Sequence, residues 1–191
     1  INLTERNGFQ TYSINLNQNY INQNDYIDAD IFATINILKK FDNNLCLIID
    51  DYNLNYYWEK SISNFVKNIV VLEDIPNRKH FCGLLIDSSF SRVDTEYKQL
   101  VLPKTKILTG SKYILLRDEF LFYRKKYVNL DNIQFPPKKI LMNFGGKDFL
   151  REIIDMLFEL ENSKLPDGVE IDLILGPLTN ISQRLLDVKV K

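Results

Sequence analysis

A chain of 191 residues can form one large domain or two small ones and can bury a sizeable core. Its 45% apolar, 26% charged and 12% aromatic content is that of a globular protein and excludes a disordered chain. With 24 basic against 25 acidic residues the formal charge is −1, so neither a nucleic acid nor an anionic membrane recognised by bulk charge is an expected partner.

Ile1 to Asn7 reads as the tail of a helix stopped by Gly8. Phe9, Tyr12 and Ile14 predict a strand over Phe9 to Ile14. Asn15 to Asp28, rich in Asn and Gln, reads as a polar loop. Ile31, Phe32, Ile35, Leu38 and Phe41 then recur at helical spacing and end at Asp42-Asn43-Asn44. Leu45 to Ile49 is an unbroken apolar run of the kind buried on both faces of a parallel sheet. Asp50-Asp51-Tyr52 follows it, and then a helix carrying Tyr57, Trp58, Ile62, Phe65 and Val66. A second run, Ile69 to Leu72, ends in Glu73-Asp74; a third, Leu84 to Ile86, ends in Asp87-Ser88-Ser89. Ser91 to Val101 is expected to be helical, Ile107-Leu108 to be a short strand, and Leu116 to Tyr127 a helix whose Arg124-Lys125-Lys126 end is solvated.

Pro136-Pro137 can continue neither a helix nor a central strand and reads as a hinge, dividing the chain into 1–136 and 137–191. Beyond it Ile140 to Met142 and Phe144 predict a short buried strand, and Gly145-Gly146 a tight turn. Phe149, Leu150, Ile153, Ile154, Leu157 and Phe158 give a helix that Asp148 is placed to cap. Val169 to Leu175, closed by Gly176-Pro177, is the last expected strand.

The alternation is α/β, with right-handed crossovers. The apolar runs end in polar clusters, and in an open α/β sheet ligands bind outside the carboxyl ends of the strands. Asp50-Asp51-Tyr52, Glu73-Asp74 and Asp87-Ser88-Ser89 therefore either line one rim of a site or simply mark the return of each strand to solvent. The strand, glycine turn and helix start at Asn143 to Asp148 make a potential anion site, because glycine lets backbone N–H groups come close and the helix dipole favours negative charge. That turn alone is weaker evidence than a full dinucleotide fingerprint.

Two cysteines are too few for a disulfide framework or a zinc site, and Cys46 and Cys82 both read as small buried hydrophobes. No metal site is expected. No signal peptide and no apolar run of membrane-spanning length is visible, so a cytoplasmic setting is the default expectation. The chain opens in a helix with no strand before it and closes barely two strands into its second part, and so reads as an internal piece of a longer two-domain protein.

Six strings stand in a telling order. The first are Leu47-Ile48-Ile49-Asp50-Asp51-Tyr52 with Trp58-Glu59, then Val71-Leu72-Glu73-Asp74 with Asn77-Arg78-Lys79-His80-Phe81-Cys82, then Leu84-Leu85-Ile86-Asp87. Tyr97 with Leu100-Val101 follows, then Gly110-Ser111-Lys112-Tyr113-Ile114-Leu115-Leu116-Arg117-Asp118-Glu119-Phe120, and Phe144-Gly145-Gly146-Lys147-Asp148. Together they resemble the PseG/SpsG family of nucleotide-sugar hydrolases, relatives of the GT-B glycosyltransferases, from the strand after Asp42 to Gly176-Pro177.

The resemblance implies an α/β fold of two Rossmann-like domains of GT-B type with mostly parallel sheets. Residues 1–136 would be an N-terminal domain without its first strand, and 137–191 the beginning of a C-terminal nucleotide-binding domain, most of which is missing. It implies hydrolysis without metal or cofactor, releasing UDP from a UDP-diacetamido-trideoxy-hexose in pseudaminic acid (nonulosonic acid) biosynthesis. The family's catalytic base is read as a histidine in a Gly-x-Gly-His-x-x-Arg loop that this chain lacks. The catalytic residue is therefore unknown here, and the chain by itself is expected to be inactive. Tyr52 is a candidate assisting residue.

As substrate-binding residues the resemblance carries over Asp51, Tyr52, Gly145, Gly146 and Lys147. Tyr52 would hydrogen-bond the sugar, or else pack at a strand end. Gly145 and Gly146 would lie near the diphosphate, or else form a plain turn, and Lys147 would add charge to phosphate binding or point to solvent. His80 lies in an Arg-x-His-x-Cys turn, not the catalytic loop, and is expected to be structural, with Arg78 and Asp74 placed to pair across the same turn. The chain departs from the family at Glu73-Asp74, Cys82-Gly83 and Asp87-Ser88-Ser89, where Asp-Asp, Cys-Asp and Asp-Gln-Asn are usual. The last departure removes an amide that could touch substrate, which leaves room for another nucleotide-sugar. The expected partners are a UDP-sugar and a fusion or partner enzyme of the same sugar pathway. Two alternatives stand beside this reading: a GT-B glycosyltransferase using a UDP-sugar donor, and a non-catalytic module that binds a nucleotide-sugar or a partner.

Overall fold

Four short apolar runs become four parallel strands in the computed structural model, which describes residues 2–16, 23–42, 44–127, 135–145, 150–163, 165–166 and 168–175. Contacts divide the chain into two units, Ile1–Arg117 and Asp118–Lys191, the division falling ahead of Pro136-Pro137. In the first unit α1 (Asn2–Arg6) and α2 (Gln23–Leu38) precede β1 (Cys46–Ile49), α3 (Tyr56–Ile62), β2 (Asn68–Leu72), β3 (Leu84–Asp87) and β4 (Lys106–Thr109). The sheet order is β1-β2-β3-β4, with Ile49 opposite Val71, Val71 opposite Leu85 and Leu85 opposite Ile107.

The two-residue period of a strand puts Leu47, Ile49, Ile69, Val71, Leu85 and Ile107 on one face. There they join Ile27, Ile31 and Leu38 of α2, Trp58 and Ile62 of α3, and Tyr97 in one core. Helix α3 is locked onto this face from its first turn. The Asn55 side chain accepts from the N–H groups of Tyr57 at 3.0 Å and Trp58 at 3.2 Å, and the Trp58 indole donates to Asp30 at 2.7 Å. Replacing Asn55 by alanine removes the cap and lowers the unfolding free energy by about 1 kcal/mol. A urea titration showing no loss would mean that burial of Trp58 alone fixes the helix start.

The opposite face carries Ile48, Val70, Leu72, Leu84, Ile86 and Leu108 and is less covered. The expectation that Leu45 to Ile49 is buried on both sides is corrected accordingly: Ile48 is 63% exposed, and Cys46, on the same face, is exposed too. Among the described residues β1 pairs only with β2, so its outward positions have no neighbour on one side. Cys82, by contrast, is buried in the core as expected.

Three other expectations are corrected. Phe9 to Ile14 has no regular structure, because no described strand pairs with it. Tyr12 instead sits edge-on to Phe41, 5.8 Å between ring centroids. Helix α2 starts at Gln23, well before Asp28, while 17–22 of the expected loop lies outside the described residues. Ser91 to Val101 forms only a 3-10 turn at Asp94–Glu96. Here side chains outcompete the helix: Glu96 folds back onto the Val93 N–H, Arg92 and Tyr97 are drawn to Asp87, and Ser91 takes a left-handed φ of 67°.

The second unit holds α4 (Asp118–Tyr127), β5 (Lys139–Asn143), α5 (Leu150–Glu161) and β6 (Glu170–Ile174), with β5 and β6 parallel and Ile140 opposite Ile171. Ile153, Ile154 and Leu157 on α5 are buried. Strand β5 alternates between exposed and half-buried positions instead of being buried throughout, since a two-stranded sheet has little to cover its second face. Among the described residues no helix is long and apolar enough to cross a membrane.

Candidate functional site

Because the four strands of the first unit are parallel and in register, the segments that leave β1, β2, β3 and β4 emerge at one edge of the sheet. They enclose a cavity of about 210 Å³. Its lining combines polar residues, Asp50, Asp51, Tyr52, Glu73, Asp74 and Ser88, with apolar ones, Leu72, Ile86, Ile114 and Leu115. Sites for whole drug-sized ligands span roughly 300–1,000 Å³, so this cavity suits one small ring and not an entire nucleotide-sugar. Of the polar strand ends expected to form a rim, Asp50, Asp51, Tyr52, Glu73, Asp74 and Ser88 line this cavity, whereas Asp87 and Ser89 do not.

Tyr52 stands at the mouth. Its hydroxyl donates to both carboxylate oxygens of Asp74, at 2.9 and 2.8 Å. The phenol is held above its ordinary value, first by that hydrogen bond, then by burial and the negative charges of Asp74, Glu73 and Asp50. Tyr52 thus keeps its proton at neutral pH and has already committed it to Asp74. What it offers a ligand is its oxygen lone pairs. Asp51 accepts from the Asn53 N–H at 2.6 Å, which fixes the turn after β1. Apart from the Ser88 hydroxyl, the polar side chains of the lining present acceptors.

Two guanidinium groups lie against these polar residues, and both are occupied by protein. Arg78 donates through Nε to Glu73 at 2.7 Å, through Nη2 to the Asp51 carbonyl at 2.9 Å, and through Nη1 to the Tyr52 carbonyl. The expected pair across this turn was Arg78 with Asp74. The structure gives Arg78 to Glu73, which is buried at the end of β2, and leaves Asp74 to Tyr52 and the cavity. Arg92 donates to Asp87 at 2.5 Å, to Glu96 at 2.7 Å and to the Asp74 carbonyl at 2.7 Å. Asp87, fully buried, also accepts from the Tyr97 hydroxyl at 2.7 Å and the Ser89 N–H at 2.9 Å. Burial pushes the Asp87 carboxyl up, but the hydrogen bonds from Ser89, Tyr97 and Arg92 outweigh it and leave the group below the usual carboxylate range.

His80 lies beneath the cavity, not in it, at 1% exposure. Its Nδ1 is 2.7 Å from a carboxylate oxygen of Glu59, which is itself fully buried on α3. Its Nε2 is 3.1 Å from Glu73 but poorly aligned for a hydrogen bond. The second Glu59 oxygen accepts the Phe81 N–H. A histidine enclosed in this way cannot reach a water at the cavity.

In the second unit Gly145 follows β5 with φ 82°, a left-handed conformation that favours glycine, and its N–H is bound by the Asn143 side chain at 2.7 Å. Gly146, Lys147 and Asp148 lie outside the described residues. Among the described residues no group of three or more His, Cys, Asp or Glu is placed to hold a metal ion.

Glu59 enters the sequence pattern only within the string Trp58-Glu59 and Arg92 not at all, yet both carry a signal. Glu59 lies three residues before Ile62 and next to Trp58, at a core-facing position of an apolar helix. Arg92 follows a strand-terminal acid by five residues, as Arg78 does. No family model and no curated protein matches this chain.

Proposed function

We propose that the chain belongs to a nucleotide-sugar hydrolase with Rossmann-like domains of GT-B type, and that the cavity at the carboxyl ends of β1 to β4 takes the sugar. The substrate class is a UDP-diacetamido-trideoxy-hexose of the pseudaminic acid type. The observation that carries this reading is a lining that joins the acceptors of Asp50, Asp51, Tyr52 and Asp74 to apolar Leu72, Ile86, Ile114 and Leu115. Sugar hydroxyl and amide N–H groups donate to such acceptors, and deoxy or methyl positions pack on Leu72, Ile86, Ile114 and Leu115. A diphosphate finds the opposite there. Arg78 and Arg92, which border the polar residues, are bound to carboxylates and carbonyls and are not offered to a phosphate, so in this reading the phosphates are held elsewhere. Tyr52 assists as a hydrogen-bonding group, while the base that activates water comes from outside the described cavity. The ordered strings shared with the PseG/SpsG family supply the reaction type; the cavity supplies the match to a sugar.

Binding and turnover test the two parts separately. Titrating the protein with the UDP-sugar and with UDP alone, Tyr52→Phe weakens the first by about five- to tenfold and leaves the second unchanged. Equal loss for both ligands would remove the sugar from this cavity. Turnover is read as UDP release without acceptor by the complete gene product. Release only when an acceptor is added would make the enzyme a transferase instead.

A further inference from the structure

We propose that Arg78 and Arg92 are positioning residues, a pair of braces that sets the shape of the cavity wall by holding the backbone of the loop that precedes each of them. The same device occurs twice. A buried acid stands at the end of a strand, Glu73 directly after β2 and Asp87 as the last residue of β3, and an arginine five residues later binds it through Nε. The rest of the guanidinium then reaches to the previous strand's exit loop. Arg78 holds the Asp51 and Tyr52 carbonyls after β1, and Arg92 holds the Asp74 carbonyl after β2.

The two braces meet in a side-chain contact. Arg78 fixes the backbone of Tyr52 and lies over its ring, 5.8 Å from the centroid. Arg92 fixes the backbone of Asp74, and the Tyr52 hydroxyl closes on the Asp74 carboxylate. A guanidinium suits this duty because its rigid planar fork holds an acid through Nε and carbonyls through its Nη atoms in one fixed geometry, whereas an ammonium is a compact point charge without that fork. Each anchor is firm for the same reason it is buried: Glu73 also accepts from the Asp74 N–H at 3.0 Å, and Asp87 from Tyr97 and Ser89.

The braces matter to function only if the cavity is the sugar site, so the test has one arm that needs no ligand. The protein contains ten tyrosines, so Tyr52 is followed by ring-carbon NMR and assigned with Tyr52→Phe. In Arg92→Lys and Arg78→Lys the positive charge stays but the fork is lost. The Tyr52 titration then falls back toward the ordinary value of 10.0, because Asp74 is no longer held against it. Loss of a nearby positive charge would move it the other way, so the sign separates geometry from charge. Sugar binding weakens by about tenfold while UDP binding is unchanged. Glu96→Gln, which removes the outer ion pair of Arg92 and keeps an acceptor for the Val93 N–H, leaves both readouts in place.

A Tyr52 titration that stays put in both folded lysine variants overturns the braces, whatever happens to binding. A titration that falls while the unmodified protein binds no sugar sustains the braces and overturns the functional reading instead. Should Arg92→Lys fail to fold, Arg78→Lys decides from the other side. If neither variant folds, the arginines serve folding, and the positioning role is overturned.

Discussion

Replacing Asp87 by asparagine destabilises the first unit by about 3 kcal/mol at neutral pH. One carboxylate oxygen accepts from Arg92 and Tyr97, and the other accepts from the Ser89 N–H. An amide can serve only one of these positions as an acceptor; its NH2 meets a donor at the other. Since Asp87 and Tyr97 are fully buried, water cannot repair the mismatch. The effect depends on pH with a definite sign. The Asp87 carboxyl lies below its ordinary value in the folded protein, so its contribution is complete above the unfolded carboxylate pKa of about 3.9 and is lost as the pH falls through the folded value. The difference between Asp87→Asn and the parent in urea unfolding therefore shrinks in acid below that point. A difference that stays constant from neutral pH down to strong acid would mean that Asp87 acts by shape and not by charge.

Glu59→Ala is expected to cost more, about 3–5 kcal/mol. Both of its oxygens are in use, one on His80 Nδ1 and one on the Phe81 N–H, and truncation leaves both groups buried without an acceptor beside a new cavity. Glu59→Gln keeps one acceptor and costs less than half as much. Cys82 is a built-in reporter of the same region. Its thiol is buried and pushed up to about 12, first by burial and then by the charge of Glu59, so it resists alkylation in the parent while exposed Cys46 reacts. In Glu59→Ala the labelling rate of Cys82 rises toward that of Cys46. If stability changes by less than about 1 kcal/mol and Cys82 remains inert, the Glu59–His80 pair is not a structural anchor.

Both predictions concern groups that lie under the cavity, not in its wall, and this is where sequence and structure part company. The runs at Leu45, Ile69, Leu84 and Ile107 announce strands because a short apolar run bounded by polar residues is a local feature of the chain. The acids that follow the first three announce polar strand exits for the same reason. Gly145 is legible too: a left-handed turn after a strand calls for glycine wherever the strand ends up. The α/β fold class and the polar residues at the strand exits thus follow from short-range chemistry.

What the chain order hides is which polar groups meet. Glu59 and His80 are 21 residues apart, and Tyr52 and Asp74 are 22 apart. Only parallel pairing of β1, β2 and β3 brings their exits side by side. The same pairing turns Ser91 to Val101 away from the helix its composition favours, because Arg92 and Tyr97 find Asp87 within reach. It also leaves Ile48 exposed, since being apolar does not decide whether a neighbour exists to cover a face. Sequence by itself determined the four strands of the first unit, the polar residues that follow the first three, and Gly145 after β5, all of which depend on residues next to one another. Tertiary structure alone decided the partners of Arg78, His80 and Asp87, because a buried charge takes whichever counter-group the sheet brings within about 3 Å.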